Sequence, residues 1–336
     1  MKKPKLRKST VNNLITYAIV ALFYIVVTVM IQTGNASRHM QSLLVPICVN
    51  IVLAVSLNLV IGFLGELSLG HAAFMSVGAY TGGLLSIFLK KALPDLPVMV
   101  RFPLSILAGG ILAAIFGALV CVVVLRLKGD YLAIVTLAFG EILRSIVINL
   151  EFTGGASGLK GVPQNASFTY GIILVFITLF VIQNLAKSKH GRAIQALRDN
   201  TIAATSVGIN ATRYKLLVFT LAAFFAGMAG VLYSHNYSIL TAGTFDYNYS
   251  IEILVMVVLG GIGSVRGSVI AAALIAILPE MLRSLQDYRM LIYAIVLIVM
   301  MLFTSNEQLK LMVAKYSPVN AVKNALAAKK AKKEEN

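Results

Sequence analysis

Apolar residues along this chain gather into long runs with short polar punctuation, near positions 14–31, 43–64, 72–89, 104–125, 131–150, 171–186, 215–234, 251–263, 266–282 and 288–304. A helix needs about 20 apolar residues to cross the hydrocarbon core of a bilayer, and most of these runs approach that length. The pattern predicts an all-α, polytopic integral membrane protein with eight to ten transmembrane helices. The eighth run is too short to span alone and reads as a half-helix, or as one unit with its neighbour. Signal-peptide cores hold only about 7 to 15 apolar residues, so the first run reads as a retained helix. The chain then divides into a tail at 1–13, a transmembrane region at 14–304 and a second tail at 305–336.

Composition strengthens this reading. Of 336 residues 58% are hydrophobic and only 12% charged, against roughly 25% charged in soluble domains. The formal net charge of +16 invites comparison with nucleic-acid binders, but its placement points to membrane lipid and to no nucleic acid. Lys2, Lys3, Lys5, Arg7 and Lys8 precede the first run, and Lys323, Lys329, Lys330, Lys332 and Lys333 follow the last. With the N-terminus inside and the runs alternating, 21 of the 29 Lys and Arg fall on the inner side, 7 on the outer side, and Arg144 within a span. That bias predicts that both termini are cytoplasmic and that the chain sits in the cell (plasma or inner) membrane. The exception is the segment at 90–101, whose Lys90, Lys91 and Arg101 fall outside. Cys48 and Cys121 lie in apolar runs, where a lone thiol is a small packing residue.

The longest polar interruption, 187–215, falls on the cytoplasmic side and has helical content of its own. Ala193, Ala196, Leu197, Ile202, Ala203 and Val207 recur at roughly helical spacing among Arg192, Gln195, Arg198 and Asp199. Such a segment is either presented to a partner or lies on anionic headgroups.

No phosphate-binding loop, His-Glu-x-x-His pair or Cys-x-x-Cys occurs. The reading is therefore no enzyme, no catalytic residue, no metal and no cofactor; if ATP drives the protein, another chain binds it. The most unusual stretch holds Gly62, Gly65, Glu66, Ser68, Gly70, His71 and Ser76, which interrupt an apolar region. Broken helices survive in lipid only where protein buries them or where they line a watery cavity. Gly65, Glu66, Ser68, Gly70 and His71 are thus candidates for a translocation path or its gate, with a helix-end or turn-capping role as the plain alternative. Glu141 and Arg144 stand three apart on one helical face, where opposite charges pair. Glu141 is a further path candidate, since intramembrane ionisable residues mark function; a self-neutralising packing pair is the alternative. Gly78 with Gly82, Ala223 with Gly227 and Ala226 with Gly230 form small-x-x-x-small steps that let helices approach closely. A faint likeness links 60–70 to 258–267, each an apolar run entering closely spaced glycines.

Five ordered segments carry a resemblance to a known family. They are Gly65-Glu-Leu-Ser-Leu-Gly-His-Ala-Ala-Phe74, Arg126-Leu-Lys-Gly-Asp-Tyr-Leu-Ala-Ile-Val-Thr-Leu-Ala-Phe-Gly-Glu-Ile142, Thr153-Gly-Gly-Ala-Ser-Gly-Leu159 with Gly161-Val-Pro163, His190-Gly-Arg-Ala193, and Val258-Leu-Gly-Gly-Ile-Gly-Ser-Val-Arg-Gly267. Together they resemble the M-type membrane subunit of the branched-chain amino acid ABC importers, the LivM family, over residues 43–304. The segment Ile202-Ala-Ala-Thr-Ser-Val-Gly208 is similar to the Glu-Ala-Ala-x-x-x-Gly signature by which ABC permeases dock on their ATPases. Ala203, Ala204 and Gly208 match, while Ile202 replaces the acidic residue.

The resemblance implies a permease for Leu, Ile or Val that works with a homologous H-type permease subunit, two ATPase subunits and an extracytoplasmic substrate-binding protein. Gly191, Arg192, Ala203, Ala204 and Gly208 would then belong to an ATPase-coupling loop. Import of urea or short amides, and ion-coupled secondary transport through Glu66, His71 and Glu141, remain the alternatives; an intramembrane enzyme lacks its constellation.

Overall fold

A computed structural model describes residues 8–33, 38–124, 127 and 129–281, with isolated positions between 291 and 299. The C-terminal tail at 305–336 and most of the tenth run lie outside the described residues. The chain forms two compact units, Met1–Ile277 and Leu278–Asn336, and the contacts below all lie within the first.

The first run becomes α1 (Lys8–Gln32), which starts inside the stretch read as a tail. α2 (Arg38–Asn58) continues without interruption into a π-helical segment, Leu59–Leu64. After a non-helical break at 65–70 come α3 (His71–Ala92), α4 (Val98–Val124) and α5 (Asp130–Asn149). Then follow α6 (Phe168–Lys187), the short α7 (Lys189–Asp199) and α8 (Thr201–Ser206), α9 (Ala211–Ser234), α10 (Tyr247–Gly260) and α11 (Val265–Met281). Among the described residues six helices are long and apolar enough to cross a membrane, and three apolar stretches, Thr16–Gln32, Tyr247–Gly260 and Val265–Pro279, are shorter. The shorter three coincide with the first, eighth and ninth runs, which is where the expectation of eight to ten spans exceeds this count. At about 1.5 Å per residue, the 14 residues of α10 fall short of a bilayer core.

Helix starts follow capping chemistry. Ser188 Oγ accepts the Gly191 N–H at 3.1 Å, Asn200 Oδ1 accepts the Ala203 N–H at 3.0 Å, and Asp246 Oδ1 accepts the Tyr249 N–H at 3.0 Å. Each satisfies an amide that the first turn leaves without an intrahelical partner.

The span Met40–Leu64 is the centre of the bundle, with 94% of its most apolar window buried, whereas α5 is only 22% buried and keeps most of its surface outward. α3, α4 and α9 pack face to face because glycines remove the side chains between them. A Cβ at Gly78 would lie 2.2 Å from the Gly227 carbonyl oxygen, and one at Gly230 would lie 2.0 Å from that of Met75. Gly109 and Gly117 of α4 meet α9 in the same way, at Val231 and Ala223. The small-residue steps of the third and seventh runs thus meet each other, with α4 supplying a third partner.

One end of this unit carries α8 and α7, the latter with Lys189, Arg192 and Arg198, and is called the basic end. There Arg266 of α11 donates to Thr16 of α1 at 2.9 Å. At the opposite end a two-stranded antiparallel ladder, β1 (Leu159–Lys160) with β2 (Ile239–Leu240), joins the α5–α6 and α9–α10 connections. Beneath it, buried His235 donates from Nδ1 to the Val231 carbonyl at 2.8 Å and meets Ser86 through Nε2 at 2.7 Å.

Replacing Gly78 with isoleucine should lower the thermal unfolding midpoint in detergent, because overpacking a close contact costs about 1–3 kcal/mol or more. Gly243→Ala, whose Cβ would meet nothing within 4 Å, should leave the midpoint unchanged in the same assay.

Candidate functional site

Two helices begin inside the bundle, and both starts sit against α5. The chain leaves Leu64 through Gly65, whose φ of 79° places it in the left-handed region that favours glycine, and turns back into the protein. Its amides find side-chain partners on the way. Leu69 N–H donates to Thr136 Oγ1 of α5 at 3.0 Å, and Ala72 N–H donates to Ser250 Oγ of α10 at 3.1 Å. Gly70 touches α5 so closely that a Cβ there would lie 2.5 Å from the Thr136 carbonyl oxygen. From the other end, the 3₁₀ turn Ala242–Phe245 leads to Asp246 and the start of α10. The two starts face a narrow pocket bordered by Leu69, Ala73, Gly140, Glu141, Asp246 and Ser250. Its cavity volume of ≈ 10 Å³ is about that of one water probe, so this conformation is closed to an amino acid.

The path candidates occupy different surroundings. Glu66 forms an ion pair with Lys215 in the first turns of α9, with side chains only 13% and 10% exposed. His71 is buried and donates from Nε2 to Ser56 Oγ at 2.8 Å, since that hydroxyl spends its own hydrogen on the Leu53 carbonyl. Ser68 is buried, and its hydroxyl meets no hydrogen-bond partner among the described residues. Only Glu141 among these borders the pocket; it accepts from Arg144 Nε at 3.0 Å, and both side chains are 35% exposed on the outward face of α5.

The surface segment is two helices, not one. Asn200 ends α7 and caps α8, so the apolar set read from the sequence divides between two faces. Of that set only Leu197 is buried, while Ile202 and Val207 are 76% and 78% exposed; the buried face is completed by Ile194 and Ala204, which the set left out. Gly191 is pressed on the end of α6, where a Cβ would lie 2.2 Å from the Leu185 carbonyl oxygen. Arg192 is exposed and donates to the Lys187 carbonyl at 3.3 Å. Ala203 is exposed, and Gly208 ends the segment with a φ of 89° and open space around it.

These features have recognisable relatives. Residues 39–303 match the family described as the branched-chain amino acid transport system / permease component. This chain belongs to that family. The permease is 35% identical over 288 residues to the high-affinity branched-chain amino acid transport system permease protein LivM of Salmonella typhimurium, covering 75% of this chain and 66% of that protein. LivM of Escherichia coli is 34% identical over the same length. The ribose import permease protein RbsC of Haemophilus influenzae is 29% identical over 280 residues, 76% of this chain and 81% of that one. The chain thus spans just under two thirds of the LivM relatives' length. No solved structure matches it. By family it is a transport permease component, and six of its described helices are long and apolar enough to cross a membrane.

Several site residues of this permease escaped the sequence reading. Lys215 and Ser250 lie far along the chain from the residues they contact, and Asp246 is legible only as a capping residue before Tyr247. Breaking a buried ion pair by removing one partner costs about 3–5 kcal/mol, whereas neutralising both costs much less. Lys215→Met should therefore lower the unfolding midpoint markedly, and the added change Glu66→Gln should recover much of the loss. Additive losses in that double-mutant cycle would deny the pair its role.

Proposed function

We propose that this chain is a pore-forming subunit of an ATP-driven importer of branched-chain amino acids. It would pair with a homologous H-type permease, two ATPase subunits and an extracytoplasmic substrate-binding protein. The observation that carries this reading is the α7–α8 segment. It is tied to the bundle by its buried face, yet it offers Ile202 and Val207 to the exterior beside the left-handed turn at Gly208. An apolar pair on a polar surface element suits burial in a groove of another protein. In this reading the basic end is cytoplasmic, both termini face the cytoplasm, and Gly191, Arg192, Ala203, Ala204 and Gly208 belong to the docking element.

The outward face of α5 supports a path shared with the second permease. A half-exposed Glu141–Arg144 pair is expensive against lipid tails and belongs toward a bundle interior or a watery cavity. The starts of α3 and α10 beside it aim helix N-termini at the pocket, which suits the carboxylate of an amino acid. The aliphatic side chain would meet the small and apolar residues there, such as Ala73 and Leu69. ATP-driven closure of the ATPases would move α7–α8, and with it the attached spans, so that the closed pocket opens by turns to each side.

The names of the LivM relatives, branched-chain amino acid permeases, favour leucine, isoleucine and valine as cargo; the ribose import relatives show that cargo varies among similar chains, and urea or an amide is the alternative. An ion-coupled carrier working alone would draw on Glu66, His71 and Glu141. Each of these is engaged with a neighbour, at Lys215, Ser56 and Arg144 respectively, which disfavours that reading.

Gly208→Phe, forced into a left-handed conformation on the docking element, should cut leucine uptake at least tenfold in proteoliposomes holding the full assembly. Normal uptake together with normal binding-protein-stimulated hydrolysis would remove the docking role. Affinity purification of this chain should also bring ATPase subunits with it, and vigorous leucine uptake by the chain alone, without nucleotide, would refute the importer reading.

A further inference from the structure

The two glycine-rich interruptions meet at the basic end. Gly62, inside the π-helical segment of the central span, backs onto Gly263 in the α10–α11 turn, where a Cβ on Gly62 would lie 2.4 Å from the Gly263 nitrogen. Buried Asn58, one turn earlier, joins them. Its Oδ1 accepts the Gly263 N–H at 2.9 Å, and its Nδ2 donates to Ser268 Oγ of α11 at 2.9 Å. The central span and the α10–α11 turn are therefore linked at their breaks.

A side chain of the surface segment grips this junction. Arg198, in the last turn of α7, donates from Nη1 to the Gly62 carbonyl at 2.9 Å. Its Nε and Nη2 both donate to Asp199 Oδ1, at 3.1 and 2.9 Å. The Gly62 carbonyl belongs to the final turn of its helix, where carbonyls lack an intrahelical donor. Gly65 makes room for the stem, since a Cβ there would lie 2.5 Å from Arg198 Cγ. The planar guanidinium is held by the Asp199 carboxylate on one edge and directed at the backbone by the other, an arrangement that a lysine ammonium cannot reproduce.

The geometry points to Arg198 as the positioning residue that transmits movement of the α7–α8 segment to the joined glycine breaks. This inference rests on the importer reading above. A displacement of α7 pulls first on the Gly62 carbonyl. Through Asn58 it then pulls on the α10–α11 turn, so the 65–70 segment and α10, which border the closed pocket at Leu69 and Ser250, both follow one surface handle. Glycines at 62, 260, 261 and 263 offer the backbone freedom such a joint needs.

The test is the ratio of leucine accumulated to ATP hydrolysed by the complete importer in proteoliposomes. Arg198→Met, which keeps the bulk and removes the donors, and Arg198→Lys, which keeps the charge and removes the fork, should each lower that ratio at least fivefold while hydrolysis continues. Asp199→Asn, which leaves the contact with Gly62 in place, should lower it less. A wild-type ratio in either Arg198 variant overturns the inference. Should Arg198→Met fail to assemble, Arg198→Lys decides; failure of both to assemble would mark the residue as structural and also overturn it. Uptake by the wild-type chain without nucleotide would instead reject the importer reading itself, an outcome distinct from any result on the variants.

Discussion

A backbone amide or carbonyl that loses its helical partner inside a bilayer has no water to turn to, and only protein can replace the lost bond. That constraint organises this permease. The chain breaks its helices between Leu64 and His71 and again between Gly260 and Val265, and both breaks are supplied with polar partners from elsewhere. Thr136 and Ser250 receive the amides before and at the start of α3. Asn58 receives the Gly263 amide, and Arg198 serves the Gly62 carbonyl. Because these partners sit on the central span and on helices around it, the breaks are drawn into one region of the bundle.

Close packing makes that gathering possible. Without glycine at positions 78 and 230, α3 and α9 would be held apart by side chains, since a Cβ at either position would overlap the facing backbone, at 2.2 and 2.0 Å respectively. Lipid tails are as apolar as leucine, so helices associate here through contact and hydrogen bonding, with little help from hydrophobic burial. The polar cluster of His235 and Ser86 marks the same logic at the opposite end, where buried polar groups are paired within the bundle.

The functional reading follows from an asymmetry. The breaks are tied to each other and to the bundle, whereas the Glu141–Arg144 face of α5 and the Ile202–Val207 edge of α8 are left outward. The first asks for a neighbour within the membrane and the second for a neighbour outside it. The proposed importer, sharing its path with a homologous subunit and driven by separate ATPases, would meet both demands; Glu66, Lys215 and Arg198 border one pocket beside Thr201 of α8.

Membrane insertion, helical class and most helix positions were legible in the sequence alone, because the period and length of apolar runs answer directly to the solvent the chain must occupy. The π-helical extension of α2 left no such signal. The break at 65–70 was legible too, through glycines and polar residues with no business in lipid, as was the Glu141–Arg144 pair through its spacing. What these residues do to one another was not legible. Glu66 found Lys215, His71 found Ser56, and Gly62 found Gly263 and Arg198, all far beyond the reach of a helical or strand period. The surface segment likewise turned at Asn200 and sent Ile202 and Val207 outward, against a single helical face. Local pattern reports how a stretch meets its solvent; which stretches meet each other is decided only when the whole bundle closes and every broken backbone bond has to find a donor or acceptor.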